Sequence, residues 1–423
     1  MPADEFSETA SISDDGRFVA FVSFESALAP GEANGKEDVF VRDRLLGLTE
    51  RVAPGATQGC RSPVISGDGR YVAFVTASTN LVVEDTHGEE QVLLFDRVTG
   101  LVELISKGPT GQGGNQGANF PSISTDGRFV SFQSYSNDLF VPDLNSTADI
   151  FMMDRQTGLL DLISLGNGGI QTDEHGYSSA LTNDGRYVVF ETRGDNIELV
   201  PNGYRDVFRR DRLLGITEKV SFNYLGTSTH GRSEGPLDIS ADGRWISFHS
   251  EADDLVPFQQ QDMYPVRAVF VRDMELGVTE LISQDSASPS GAELGDSHGA
   301  WMSADGRFVA FTSEENGAVY LRDRETQTTL RADHGSLGQA GNQAAFEAAL
   351  SNDGRLLAFT SLADNLIHGD TNQSREVFAR EFHFQGGLQV RGLVAGSPTT
   401  VTATGLVPGT VLLLGASVSG PGP

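Results

Sequence analysis

The chain has 423 residues, with 58 acidic and 30 basic side chains and a formal net charge of −28. Because so acidic a surface repels phosphate backbones, the charge argues against nucleic acid as a partner and favours divalent cations or basic partners. The single cysteine, Cys60, excludes an internal disulfide and a cysteine-based zinc site, and no apolar run is long enough to span a membrane.

One short unit recurs along the chain, and its clearest copy is Ser303–Ser313, Ser-Ala-Asp-Gly-Arg-Phe-Val-Ala-Phe-Thr-Ser. Asp-Gly is a turn dipeptide, and the apolar run after it is typical of a strand. The Asp-Gly-Arg copies are spaced 48 to 63 residues apart, with their glycines at Gly16, Gly69, Gly127, Gly185, Gly243, Gly306 and Gly354. A period near that of one four-stranded blade, present seven times, predicts an all-β, seven-bladed propeller of antiparallel blades.

Each unit predicts four strands in the same order. A short strand ending in Ser or Thr precedes the Asp-Gly-Arg turn, and a second strand follows it, as at Phe18–Phe21 in the first unit. The third strand of that unit is Asp38–Asp43 and the fourth is Leu48–Val52. The second strand is apolar on both faces and always has Phe at its fourth position, as expected of a strand that lies between neighbouring blades.

The seventh unit departs from this pattern, because Arg380–Phe384 replaces the usual turn after the third strand. We expect Gly387–Val394 to supply its outer strand, so that the propeller domain covers residues 1–395. Residues 396–423 predict a short, truncated β tail, which is the start of a further β module or a C-terminal tail. Since Met1–Glu5 is not a signal peptide and the first strand begins almost at once, we expect this chain to be a piece of a longer protein.

The repeat Ser-x-Asp-Gly-Arg-Phe-Val-Ala-Phe-x-Ser, followed by Asp-Val-Phe-Val-Arg-Asp and Thr-Glu-x-Val-Ser, resembles the WD40-like propeller repeat of the TolB family over residues 11–381. The resemblance implies a seven-bladed propeller, an exported bacterial protein of the periplasm or cell surface, and a non-catalytic role in binding other proteins. Two features differ from the family: the usual proline before Asp-Gly is absent from every copy, and an N-terminal domain of the TolB kind is missing. The resemblance therefore does not extend to the TolB envelope complex.

Acidic loops between the second and third strands are candidate calcium sites, because calcium prefers six to eight oxygen ligands and these loops bring carboxylate and amide groups together. The candidate ligands are Asp143, Asn145 and Asp149 in unit three, Asp370, Asn372 and Glu376 in unit seven, and the weaker set Glu32, Asn34 and Asp38 in unit one. The alternative is that these residues only cap tight loops and begin strands.

Two other sets of residues are candidate sites. The arginine of each Asp-Gly-Arg turn should lie beside the aspartate that ends the third strand, as Arg128 beside Asp154, and a pair repeated in every blade indicates a structural role. Four histidines fall in the connectors between blades, on the face where propellers usually bind ligands: His175, His230, His298 and His334. Three imidazoles and a carboxylate could hold a transition metal, and the alternative is that they are solvated loop residues.

The sequence lacks a Gly-x-Ser-x-Gly elbow, a phosphate-binding loop and a His-Glu-x-x-His zinc motif. We therefore expect a non-enzymatic binding or scaffold propeller that contacts a protein or a glycan through one face, with calcium stiffening its acidic loops. The alternative is a metal-dependent polysaccharide lyase or hydrolase that uses the loop histidines. The identity of the partner and the oligomeric state are not predicted.

Overall fold

The computed structural model describes residues 7–25, 28–29, 35–197, 201–257, 266–286, 294–335, 338–367, 370, 374–384, 388–390 and 411–413. These residues form seven antiparallel sheets, so the prediction of an all-β, seven-bladed propeller is confirmed. The strands are numbered β1 to β29 in chain order, and one short 3-10 helix spans Asp195–Ile197. Within the part of the chain that is described, no helix is long and apolar enough to cross a membrane.

The first strands of the seven sheets lie side by side around the central axis. They are β1 Ser7–Ile12, β5 Cys60–Ile65, β9 Ala118–Ile123, β13 Gly176–Leu181, β17 Ser233–Ile239, β21 Ser297–Met302 and β25 Ala345–Leu350. The second strands follow the Asp-Gly-Arg turns. They are β2 Phe18–Ser23, β6 Tyr71–Thr76, β10 Phe129–Ser134, β14 Tyr187–Thr192, β18 Trp245–Ser250, β22 Phe308–Ser313 and β26 Leu356–Ser361.

The third strands pair with the second strands in full register. They are β3 Asp38–Asp43, β7 Gln91–Asp96, β11 Asp149–Asp154, β15 Asp206–Asp211, β19 Ala268–Asp273, β23 Ala318–Asp323 and β27 Glu376–Phe384. The outer, fourth strands are shorter. They are β4 Leu48–Arg51, β8 Val102–Leu104, β12 Leu159–Leu162, β16 Ile216–Lys219, β20 Val278–Leu281 and β24 Thr328–Arg331.

The last sheet has three strands of full length, and two strands of three residues pair with different parts of β27. Strand β28, Leu388–Val390, pairs with Phe382–Phe384 and falls within the segment predicted to supply the outer strand. Strand β29, Val411–Leu413, pairs with Phe378–Arg380, the part of β27 that corresponds to where the outer strands pair in the other blades. The division of the chain at residue 395 stays a prediction.

The core is formed between blades by the apolar second and third strands. The phenylalanine at the fourth position of each second strand is fully buried, and in six blades it stacks on an aromatic ring of the third strand at 5.5 to 5.9 Å between centroids. Because both faces of these strands are covered by neighbouring blades, the absence of polar alternation in the sequence has a direct structural cause.

The ring closes by contact between the first and last blades. Strand β1 lies against β25, and the amide of Ser7 donates to the carbonyl oxygen of Arg375 at 2.8 Å. An apolar cluster that includes Phe21 and Phe40 of the first blade with Leu356 and Val377 of the last one fills this seam. The four strands of the first blade are contiguous in sequence, so in the described residues no strand is exchanged across the seam.

Candidate functional site

The antiparallel topology gives the propeller two different faces. The Asp-Gly-Arg turns and the turns between third and fourth strands emerge on one face, named here the Asp-Gly face. The loops between second and third strands and the connectors between blades emerge on the opposite one, the connector face. A functional residue can therefore be assigned to a face from its position in the repeat.

On the Asp-Gly face the predicted arginine–aspartate pairs are present in six blades, with N···O distances of 2.6 to 2.8 Å. They are Arg17–Asp43, Arg70–Asp96, Arg128–Asp154, Arg186–Asp211, Arg244–Asp273 and Arg307–Asp323. The hydrogen bonds from Arg128, together with the backbone amide of Gln156 and the side chain of Thr157, lower the pKa of Asp154 to about 2. Since the same pair recurs with the same partners in blade after blade, this face is built as a scaffold.

A cavity of about 160 Å³ lies on the axis, lined by the ends of six first strands and by residues that follow the first strand in all seven blades. On the Asp-Gly side Asp14 ties the ring together: its carboxylate accepts hydrogen bonds from Thr125 Oγ1 at 2.9 Å and Asn352 Nδ2 at 2.6 Å. A Cβ atom at Gly67 would lie 2.2 Å from this carboxyl group, so only glycine leaves room for it. Burial raises the pKa of Asp14, although both hydrogen bonds favour its charged form.

Asp238 lines the same cavity from blade five. Its Oδ2 accepts a hydrogen bond from the backbone amide of Met302 in the next blade at 2.9 Å. Burial raises the pKa of Asp238 to about 6, because the cavity wall solvates a carboxylate less well than water does. The axis therefore contains a carboxyl group whose pKa lies above the usual range of aspartate.

The connector face carries a set of polar residues that the repeat does not explain, named here the blade-five cluster: Glu191, Arg205, Glu234, His249 and His298. Arg205 Nη1 lies 2.9 Å from Glu234 Oε2 and 3.6 Å from Glu191 Oε2. On the other side of Glu234, its Oε1 lies 3.5 Å from His249 Nε2, and the His249 and His298 rings meet edge to face with centroids 6.4 Å apart. Three consecutive blades, four to six, are thus linked by one polar chain.

The ionisable residues of this cluster have pKa values shifted in different directions, and some of their polar atoms lack a hydrogen bond. Burial raises the pKa of Glu191, although its Oε1 accepts a hydrogen bond from Ser178 Oγ at 2.7 Å. The hydrogen bond with His249 lowers the pKa of Glu234, and burial lowers the pKa of His298. Oε2 of Glu191 and Nδ1 of His249 are buried and have no hydrogen-bond partner. Neighbouring carboxyl groups whose pKa values are shifted in opposite directions, beside buried polar atoms without a hydrogen bond, are typical of functional sites.

Exposed aromatic side chains also lie on the connector face. Among the described residues, the five most exposed aromatic side chains all emerge on the connector face of blades three to five: Phe120, Tyr135, Phe140, Tyr204 and Tyr224. The exposed apolar side chains on the opposite face are aliphatic, as at Leu213 and Leu214. Aromatic residues supply large, rigid contact areas and are enriched at binding surfaces.

The structure brings the three candidate calcium ligands of unit three together. Gln171 Nε2 donates to Asp143 Oδ1 at 3.0 Å and to Asp149 Oδ2 at 2.8 Å, and Asn145 Nδ2 lies 3.3 Å from Asp149 Oδ1. Burial raises the pKa of Asp149. The loop is thus closed by an amide group between two carboxylates, and calcium binding here stays a prediction.

The other candidate calcium ligands are only partly described. In unit seven Asn372 lies outside the described residues, whereas Asp370 is half-buried and Glu376 is buried at the start of β27. In unit one Glu32 and Asn34 lie outside the described residues, and Asp38 is paired with Arg51 at 2.5 Å. Asp38 is thus a buried ion-pair partner in the blade.

The four connector histidines have separate surroundings. Nδ1 of His175 accepts the amide of Ala148, His298 belongs to the blade-five cluster, and His334 Nδ1 lies 3.0 Å from the Arg331 carbonyl oxygen. Over the described ranges, the one group of three possible metal ligands is His230 with Asp253 and Asp254. The described residues therefore do not bring His175, His230 and His298 into one ligand group.

The blade-five cluster was not predicted from the sequence, apart from His298. A signal was present: the fifth position of the second strand is Val in the first two blades but Glu191 and His249 in blades four and five. A charged residue in an otherwise apolar strand points to a special environment, but the sequence alone does not show that these positions meet across blades.

Comparisons with known proteins identify the fold. The propeller domain of the Trilobed protease from Pyrococcus furiosus, described as having an open velcro topology, gives a TM-score of 0.55 at 12% identity, with 90% of this chain and 94% of that one covered. An oligogalacturonate lyase in complex with manganese gives 0.56 at 14% identity and covers 89% and 90%. A TolB from Acinetobacter baumannii gives 0.45 at 17% identity, and the match covers 75% of this chain but only 64% of the TolB length.

No family profile and no curated protein matches the sequence. At identities of 12 and 14%, the matches to the Trilobed protease propeller and to the lyase show a shared fold and not a shared activity. The similarity to TolB is partial, and the matched structures also include prolyl endopeptidases.

Proposed function

We propose that this chain is a non-catalytic binding propeller whose connector face, over blades three to five, contacts a protein or glycan partner. The observation that carries the proposal is the asymmetry of the two faces. On the Asp-Gly face the same arginine–aspartate pair repeats in six blades, whereas within the described ranges the most exposed aromatic side chains and the blade-five cluster lie on the connector face. A structural group is needed in every blade, and a binding group is needed once.

The blade-five cluster supports binding of a polar partner on the connector face. Arg205 lies over the Tyr177 ring at 3.7 Å and also pairs with Glu234, so its guanidinium is held in a defined place. A fixed guanidinium, carboxylates and exposed rings together offer the hydrogen bonds and stacking surfaces that peptides and sugars use. Export to the periplasm or cell surface is proposed from the sequence resemblance alone.

The test is binding of the full chain to peptide and glycan arrays, followed by affinity measurement for any hit. A Tyr135→Ala, Tyr204→Ala double variant is expected to weaken binding at least about tenfold, since truncating buried aromatic anchors costs about 1.4 kcal/mol or more at interfaces. The matched control is a Leu213→Ser, Leu214→Ser variant, which removes exposed apolar side chains from the opposite face and should bind normally.

Two outcomes would contradict this proposal. Loss of binding in the Leu213→Ser, Leu214→Ser variant alone would place the partner on the Asp-Gly face. Cleavage of an array polysaccharide by the chain, lost on chelation, would favour the alternative of a metal-dependent lyase or hydrolase, which gains no support from the described positions of the connector histidines.

Calcium at the unit-three loop is proposed as a stabiliser of the connector face. A calcium ion between Asp143 and Asp149 would replace the amide nitrogen of Gln171, and rotation of that amide would present its oxygen as a further ligand. A ligand that binds only the folded state stabilises it by about 2.7 kcal/mol at a hundredfold excess over Kd. We therefore expect excess calcium to raise the Tm.

The calcium-dependent rise in Tm should disappear in an Asp143→Asn variant and persist in Glu174→Gln, an exposed carboxylate in the neighbouring connector. The measurement is thermal unfolding with excess calcium and with a chelator. Equal Tm values for the unchanged chain in both conditions would show that the loop is held by Gln171 alone.

A further inference from the structure

His230, Asp253 and Asp254 form a compact group on the connector face. His230 lies in the connector before β17, and both aspartates follow β18 in the same blade. One possible ligand atom from each residue lies within 4.8 Å of the other two, and His230 Nδ1 is 3.3 Å from Asp254 Oδ2. Two distant parts of the sequence thus bring an imidazole and two carboxylates to one point.

One possible ligand of this group is held in place by hydrogen bonds, and the other two side chains are exposed. The side chain of Asp254 is only 13% exposed and accepts hydrogen bonds from Asn223 Nδ2 at 3.2 Å and from the backbone amide of His230 at 3.3 Å. The backbone carbonyl oxygen of Asp254 also accepts the amide of Tyr224 at 3.0 Å. In contrast, the His230 side chain is 80% exposed and Asp253 is exposed, so both can adjust around an ion.

The ligand set indicates the class of ion. Oxygen ligands alone suit calcium and magnesium, whereas an imidazole nitrogen with carboxylates suits zinc and related transition metals. Zinc bonds to histidine nitrogen and carboxylate oxygen are about 2.0 to 2.2 Å long, which puts neighbouring ligands of a tetrahedral ion about 3.3 to 3.5 Å apart. The observed separation of His230 Nδ1 and Asp254 Oδ2 already matches that spacing.

We propose that His230, Asp253 and Asp254 bind one divalent transition-metal ion, of which zinc is the best fit. Three protein ligands leave a tetrahedral ion with one position open to water or to a side chain of a partner. The net charge of −28 raises the local concentration of cations around the site. This inference goes beyond the proposed binding function and does not depend on it.

The alternative is a simple ion pair between a protonated histidine and an aspartate. The chain contains a comparable histidine–aspartate contact: His87 Nδ1 lies 3.5 Å from Asp85 Oδ2 in the loop before β7, and no third possible ligand joins it among the described residues. If the ion needs three ligands, then loss of Asp253 should weaken metal binding. If His230 and Asp254 form only a two-residue contact, then loss of Asp253 should have no effect on it.

The test is calorimetric titration of the metal-free full chain with Zn²⁺, supported by the visible absorption of Co²⁺ as a coordination probe. We expect binding of one equivalent, weakened at least tenfold by His230→Gln and by Asp253→Asn. Both substitutions are at exposed positions, and circular dichroism would verify that the fold is kept. His87→Gln is the matched control and should bind as the unchanged chain does.

Two results would overturn the proposal. Saturable binding that survives both His230→Gln and Asp253→Asn would place the ion elsewhere on the acidic surface. Absence of saturable zinc binding, with no cobalt spectrum, would leave His230 and Asp254 as an ion pair. Neither result bears on the array measurements, so failure here is distinguishable from failure of the proposed binding function.

Discussion

Replacing Gly127 by alanine is expected to lower the free energy of unfolding by about 3 kcal/mol. Gly127 has φ +69°, where an L side chain costs about 1 to 2 kcal/mol. In addition, a Cβ atom there would lie 2.3 Å from the ring of Tyr71 in the preceding blade, and relieving such an overlap costs about 1 to 3 kcal/mol. Urea unfolding of both proteins would measure the loss.

Gly158 provides the matched control for this prediction. It has φ +72°, in the turn after the third strand of the same blade, but nothing lies within 4 Å of a Cβ placed there. Gly158→Ala should therefore show the backbone strain without the contact. If Gly127→Ala and Gly158→Ala reduce stability equally, then the space between Asp-Gly turns and the preceding blade is not packed as described.

The contact between Gly127 and Tyr71 is a feature of the fold that the sequence pattern does not predict. The Asp-Gly repeat was sufficient to predict seven blades, because turn chemistry and strand pattern are local properties. Its second role is not local: at Gly69, Gly127, Gly185, Gly243, Gly306 and Gly354, a Cβ would meet the first side chain of the preceding blade's second strand at 2.2 to 2.7 Å. Only the packed ring shows that these glycines are also required for contact between blades.

The sequence predicts contacts within a blade better than contacts between blades. The pairing of Arg128 with Asp154 follows from strand direction alone, since both residues lie at the same edge of a blade. The blade-five cluster depends instead on contacts between residues such as Glu191 and Arg205 in one blade and Glu234 in the next, whose proximity is set by the angle between sheets. Contacts between neighbouring blades leave no regular spacing in the sequence, so the sequence pattern does not predict the blade-five cluster.

Acid is expected to destabilise the propeller steeply between about pH 4 and pH 2. The hydrogen bonds from Arg128 lower the pKa of Asp154 to about 2, and those from Arg70 lower the pKa of Asp96 further below its usual range. Burial opposes ionisation in four further aspartates, but hydrogen bonds from arginine and turn amides outweigh it and the pKa of each is still lowered: Asp43, Asp211, Asp273 and Asp323. Six carboxylates thus favour the folded state only while they are charged.

The sign of the effect follows from linkage. Each pKa is lower in the folded state than in the unfolded one, so the contribution is present above the unfolded pKa of about 3.9 and is lost as the pH falls through the folded value. Because the arginine partners are exposed and screened by solvent, each pair contributes little, but the six contributions are lost over the same pH interval. The Tm should therefore fall far more between pH 4 and pH 2 than between pH 7 and pH 5.

Substitution of the aspartate of one pair shows whether these carboxylates cause the loss of stability in acid. In Asp154→Asn the Tm should already be lower at pH 7, and the decrease between pH 4 and pH 2 should be smaller than in the unchanged chain, because one titrating carboxylate is gone. Asp173→Asn, at an exposed connector position, should follow the unchanged chain at every pH. A decrease that is the same in all three proteins would mean that carboxyl groups outside these arginine–aspartate pairs control acid unfolding.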